Sequence, residues 1–137
     1  MCARWVTTLK TQKLAKFIRI YQAECFPGEV NKMLGKNTGD KVRYLNWLND
    51  QLLILDKMGM FALNLEQFEH LKGTKNPKLY AIRHPHSKIN ERYLFLFSFG
   101  EKTILLTAFK EKNTGDYKSA VLRAENICAN LEECHEY

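Results

Sequence analysis

"ERYLFLFSF" (91–99) and "KTILLTAF" (102–109) decide how this chain is read. Both are rich in aromatic and β-branched residues, and only Gly100-Glu101 stands between them. The pattern predicts two antiparallel strands joined by a two-residue type II′ turn with glycine first. The implied register sets Phe99 against Lys102, Phe97 against Ile104, Phe95 against Leu106 and Tyr93 against Ala108. That face is strongly apolar and should meet helices. The other face carries Arg92, Leu94, Leu96, Ser98, Thr103, Leu105, Thr107 and Phe109, a mixed set expected to see water or a ligand over part of its area.

Just upstream, "KLYAIRHPH" (78–86) begins as a short apolar strand with Leu79, Ala81 and Ile82. It then ends in Arg83 and in two histidines flanking a proline, although the chain has only four histidines. This is either a solvated strand end or the rim of a site that handles anions. With "HSKIN" as a basic connection, three antiparallel strands run in a row. After them, Tyr117, Ala120, Val121, Ala124, Ile127, Cys128 and Leu131 recur at helical spacing, with Thr114 or Asp116 able to cap the start. Before them, a helix is expected from Asp40 to Met58, with Val42, Leu45, Leu48, Leu52 and Leu55 as its inner stripe and Gly59 as its stop. Residues 14–25 fit a helical stripe, yet "FIRIY" (17–21) alternates like a strand, and a run this short stays open between the two. "CFPGE" breaks what precedes it, and "EVNKML" can make one or two helical turns.

At 137 residues the chain is read as one domain, 1–137, large enough for a single core. Its 45% hydrophobic and 12% aromatic content is that of an ordinary globular protein. No apolar run is long enough to span a bilayer, and a cytoplasmic protein is the expectation. Cys2, Cys25, Cys128 and Cys134 show no zinc spacing, and Cys134-His135 alone cannot build a metal site, so no metal and no cofactor are expected. Cys25 and Cys128 read as packed thiols. The 21 Lys+Arg against 15 Asp+Glu give a charge of +6, which favours nucleic acid, an anionic membrane or an acidic protein as partner.

From residue 40 onward the order is helix, irregular segment, three strands, helix. Its motifs read "LDKMG" (55–59), "HLKG" (70–73), "LYAIR" (79–83), "RYLFLF" (92–97) and "LLTAFKEKN" (105–113). In that order and spacing they resemble the RelE superfamily of bacterial and phage toxins, especially its HigB-like branch. The resemblance covers about residues 17–131 and leaves 1–16 as an N-terminal extension. It implies an α+β fold, a twisted antiparallel sheet of three to four strands with helices on one side and a C-terminal helix, and "FIRIY" as an edge strand. It also implies a type II toxin: a ribosome-dependent, metal-independent mRNA endoribonuclease. The expected partners are messenger RNA, the ribosome and a helix-turn-helix antitoxin, with no membrane and no small-molecule cofactor.

Such a nuclease must activate a ribose 2′-hydroxyl, stabilise charge on the phosphorus oxygens and protonate the leaving 5′-oxygen. The resemblance aims Arg83 and Arg92 at the scissile phosphate, where guanidinium groups fit the oxygens. For Arg92 alone, a surface ion pair with an acidic neighbour is an equal reading. Lys110 and Lys112 match the family's basic cluster, but Glu111 interrupts it, which impairs activity or moves the acid–base task elsewhere. Tyr117 stands where some relatives carry a functional tyrosine, though it also opens the apolar stripe of the last helix and is read first as packed. His84 and His86 are the side chains whose ordinary pKa lies nearest neutrality, set against a solvated-loop reading for each. Lys72, Lys75, Lys78 and Lys88 are placed along the RNA backbone, an interaction that weakens steeply with salt. Two other functions compete: a ParE-like toxin that poisons gyrase, and a non-catalytic RNA- or protein-binding module of phage origin.

Overall fold

The computed structural model describes residues 10–36, 38–75, 77–98 and 102–131. In chain order these form β1 (Thr11–Lys13), β2 (Ile20–Ala23), α1 (Phe26–Leu34), α2 (Thr38–Met58), a 3-10 turn (Gly59–Asn64), β3 (Phe68–His70), β4 (Tyr80–Arg83), β5 (Glu91–Ser98), β6 (Lys102–Lys110) and α3 (Thr114–Ala129). The fold is α+β. Its six strands make one sheet in the order β1-β2-β6-β5-β4-β3, antiparallel throughout except for the parallel β2–β6 pair. The expected three antiparallel strands in a row are β4, β5 and β6. The expected strand count of three to four is too low, and the sheet is mixed. The extra strands are short or sit in the ambiguous N-terminal third, where periodicity has little length to act on.

"FIRIY" is divided. Phe17 is buried before the strand, Ile18 is 78% exposed, and only Ile20 and Tyr21 belong to β2. Nor is β2 an edge, because β1, from the presumed N-terminal extension, pairs along its outer side. The Asp56 carboxylate of α2 fixes this segment by accepting the backbone N–H groups of Ile18 and Arg19.

The β5–β6 register departs from expectation in one place. Tyr93 does face Ala108, but Phe97 meets Thr103 and Phe95 meets Leu105. Ser98 pairs with Lys102, which leaves three residues between the paired ends instead of two. The Gly100-Glu101 turn and Phe99 lie outside the described residues. Beyond Phe95, β6 spends one extra residue, Leu106, at a bulge between the Phe95–Leu105 and Leu94–Thr107 pairs. Such a bulge resets the alternation of faces.

Helices cover both faces of the sheet, which corrects the expected one-sided packing. On one face, Tyr80, Ile82, Tyr93, Phe95, Leu105 and Ala108 pack with Phe26, Val30 and Met33 of α1 and Leu48, Leu52 and Leu55 of α2. On the other, Leu79, Ala81, Leu94, Leu96, Ile104, Leu106 and Phe109 pack under Ala120, Ala124, Ile127 and Cys128 of α3. Leu94, Leu96, Thr107 and Phe109, expected to see water in part, are therefore buried. A strand covered on both sides reads as a near-continuous apolar run, which is what 93–97 shows.

α2 forms where expected, but its buried positions are Tyr44, Leu48, Gln51, Leu52 and Leu55, while Val42 and Leu45 are exposed. α3 is capped by Asn113 rather than by Thr114: its side chain accepts the Asp116 N–H, and the Asp116 carboxylate accepts the Asn113 N–H in return. β2 covers β6 only as far as Leu105. Further along, the open edge of β6 is closed by side chains. Arg123 of α3 donates to the Ala108 carbonyl at 3.3 Å, and the Cys25 thiol reaches the Leu106 carbonyl at 4.0 Å. Paired carbonyls of this kind blunt an edge that another chain could otherwise extend. No helix of the described residues is long and apolar enough to cross a membrane.

Candidate functional site

The sheet delivers the predicted residues to two places. Side chains alternate across a strand, so neighbours in sequence face opposite layers. Arg83, the last residue of β4, sits directly across from Arg92 of β5. Their neighbours His84 and Glu91 carry the adjoining side chains on the other face.

On the α3 side, Arg92 is the centre. Its side chain is 15% exposed, and its Nη1 donates to Glu69 Oε1 of β3 at 2.7 Å and lies 3.4 Å from Glu111 Oε1. Its Nε is buried without a hydrogen-bond partner among the described residues. Arg83 is half-buried and forms no ion pair with a described residue. Tyr117 of α3 completes the group, with its hydroxyl donating to the Lys72 carbonyl at 3.4 Å. Burial raises the Tyr117 pKa first, and the charges of Glu69 and Glu111 add to the rise while Arg92 opposes it. The phenol therefore stays protonated at neutral pH and remains a donor. Tyr117 also packs against the α3-side core, so the packed reading holds alongside the clustered one.

On the α1/α2 side, the two histidines part company. His84 is no solvated loop residue: its ring stacks on Trp47 of α2 at 3.8 Å between centroids and 5° between planes, with Tyr44 edge-on at 6.1 Å. Its Nδ1 donates to Glu91 Oε2 at 2.6 Å. Glu91 is fully buried, and its second oxygen accepts the Ser87 hydroxyl. This clasp closes the β4–β5 connection, residues 84–90. Within it, Pro85 precedes His86, which is exposed at a left-handed φ of 62°. Arg43, Tyr44, Trp47, His84, Ser87 and Lys88 surround an open cavity of about 330 Å³.

The lysines scatter. Lys110 pairs across the sheet with Glu91, on the face opposite Glu111. It shares a cavity of about 400 Å³ with Lys112, Lys32 and Arg123, whose carboxylates Glu29 and Asp116 are already engaged by Arg123 and by the α3 cap. Lys72 and Lys75 are exposed. Lys78 is committed to the fold, donating to the Leu71 carbonyl at 2.9 Å with its ammonium 5.9 Å from the Tyr80 ring centre.

Sequence reasoning missed Glu69, Glu91, Arg43 and Trp47. Glu69 precedes "HLKG", and its tie to Arg92 spans 23 residues, so no local pattern shows it. Glu91 did leave a signal: an acidic residue heading an apolar strand is costly to bury without partners. Among the described residues, no group of three or more His, Cys, Asp or Glu is arranged to hold a metal ion. No family model matches this chain, and no curated protein matches it.

Proposed function

We propose that this protein is a RelE/HigB-like toxin that cuts messenger RNA on the translating ribosome and is neutralised by a helix-turn-helix antitoxin. The order of α2, the β4–β5–β6 run and α3, together with the motifs on them, supports the likeness. The observation that carries the chemistry is the Arg92–Glu69 pair at 2.7 Å beside Arg83 and under Tyr117. Those four groups supply what RNA transphosphorylation needs. The Glu69 carboxylate takes the proton from the ribose 2′-hydroxyl, and the new 2′-oxygen–phosphorus bond forms. Arg83 and Arg92 hold the charge that gathers on the phosphorus oxygens. As the bond to the 5′-oxygen breaks, the Tyr117 hydroxyl returns a proton to it, leaving a cyclic phosphate and a free 5′-hydroxyl. Glu111, the departure from the family's lysine run, then has a role as the second acceptor for Arg92.

One observation favours the gyrase poison or the binding module instead. Two carboxylates already neutralise Arg92 in the free protein. The test is expression of the wild type and of an Arg83→Ala/Arg92→Ala variant from a tight promoter, with message ends mapped by primer extension. Growth arrest with new ends in translated messages, absent for the folded variant, supports the nuclease. Arrest without cuts points to gyrase, and neither arrest nor cuts from soluble protein points to a binding module.

A further inference from the structure

The cavity beside His84 belongs to neither the arginine pair nor the lysine cluster, and its walls have a definite chemistry. Three of its six lining residues are aromatic rings, Tyr44, Trp47 and His84, and two are cations, Arg43 and Lys88. The carboxylate that follows the loop, Glu91, is fully buried with one oxygen on His84 and the other on Ser87. Its charge is turned inward. Asp40 does reach Arg43, at 2.8 Å on Nη2, but that pair is exposed, at 67% and 48% of the two side chains, and such pairs contribute little. Arg43 also lies over the Tyr44 ring, 5.5 Å from its centre. The His84 ring is fixed three ways, by the Trp47 stack, the Tyr44 edge and the Glu91 hydrogen bond. With Nδ1 spent on Glu91, Nε2 is the nitrogen left for a ligand.

We infer that this cavity is a nucleotide-binding subsite, taking one nucleotide of single-stranded RNA with its base and ribose against the aromatic wall and its phosphate between Arg43 and Lys88. Aromatic side chains with adjacent cations are the usual means of holding unpaired nucleotides. Arg83 and His84 are consecutive, so their α-carbons stand about 3.8 Å apart across the peptide bond. A strand whose phosphate lies on Arg83 reaches the cavity by passing round the end of β4. The choice of RNA as the polymer rests on the nuclease reading; the site itself is tested by binding, without cleavage.

The chain has two tryptophans, so a Trp5→Phe protein leaves Trp47 as the sole indole reporter. Its fluorescence is titrated with AMP, adenosine, inorganic phosphate and a short non-cleavable RNA, and AMP binding is checked by equilibrium dialysis. AMP and the RNA should bind, with adenosine and phosphate each weaker. Lys88→Ala and Arg43→Ala, both at exposed positions, should each weaken AMP about tenfold, the scale of one hydrogen-bonded charge. Lys118→Ala, which removes an exposed cation of α3 outside this cavity, should leave AMP binding unchanged, which separates the subsite from general surface charge. No AMP binding, phosphate binding as tightly as AMP, or indifference to both cation variants would each overturn the inference. Binding by a protein that cuts no message would leave the subsite standing and the nuclease reading refuted.

Discussion

Two polar clusters grow from the same pair of strands, and they differ in how completely they are satisfied. On the α1/α2 face, Glu91 is fully buried and both its oxygens are engaged by His84 and Ser87. On the α3 face, Arg92 is only partly covered, and among the described residues its Nε has no partner and Arg83 beside it forms no ion pair. Closed networks hold a fold in register, whereas open ones leave donors for something else to use. The difference fits a structural role for the first cluster and, on the proposed nuclease reading, leaves the second as the place for chemistry.

The largest effect should come from Glu69→Gln, which keeps the shape but removes the carboxylate proposed as the base. Cleavage should fall by about 10²–10⁴, and the urea midpoint should barely move. A next-largest effect should follow Glu91→Ala, which strips His84 and Ser87 of their buried acceptor. Unfolding in urea should show a loss of about 3 kcal/mol. A loss below about 1 kcal/mol would break the contrast, since the clasp would then be ornamental.

Alkaline titration sharpens the contrast on both faces. Burial raises the pKa of Tyr93, followed by the charge of Glu91, and burial also raises Tyr80 and Tyr117. A phenol that ionises later when folded binds more protons in the native state than in the unfolded one. Stability is therefore present in full below the ordinary tyrosine value of 10.0 and is lost as pH rises through the folded values. Thermal melts across that range should flatten in Tyr93→Phe. At neutral pH the same substitution removes a buried hydroxyl that has no partner among the described residues. It should be neutral or stabilising by up to about 1 kcal/mol. Lys75→Ala should give the smallest effect: the side chain is exposed, so a stability change within about 0.5 kcal/mol is expected.

What the sequence made legible was what local patterns encode. β5 and β6 announced themselves by composition, and α3 by its stripe. The α2 stripe was misplaced because Tyr44 and Gln51 occupy buried positions while the more apolar Val42 and Leu45 face outward. The second covered face was invisible because Arg92, Ser98 and Thr107 make that side look mixed, although Thr107 is buried with hydrogen bonds to Glu29 and Arg123. A bulge at Leu106 depends on the partner strand and has no signature of its own. Arg83 and Arg92 were singled out only by the resemblance, through "LYAIR" and "RYLFLF", and the sheet sets them side by side. Glu69 was not, since it joins Arg92 only through the β3–β4–β5 pairing. His84 and His86, alike in sequence, were separated by an aromatic helix face some forty residues away.

The most direct measurement compares Glu69→Gln with Glu91→Gln, reading message cleavage and urea stability on the same preparations. Glu69→Gln should fold like the wild type and fail to cut. Glu91→Gln should lose stability yet cut within about tenfold of the wild type per folded molecule. Cleavage that survives Glu69→Gln but is abolished in folded Glu91→Gln would contradict the proposed role of Glu69 and move the chemistry to the histidine face.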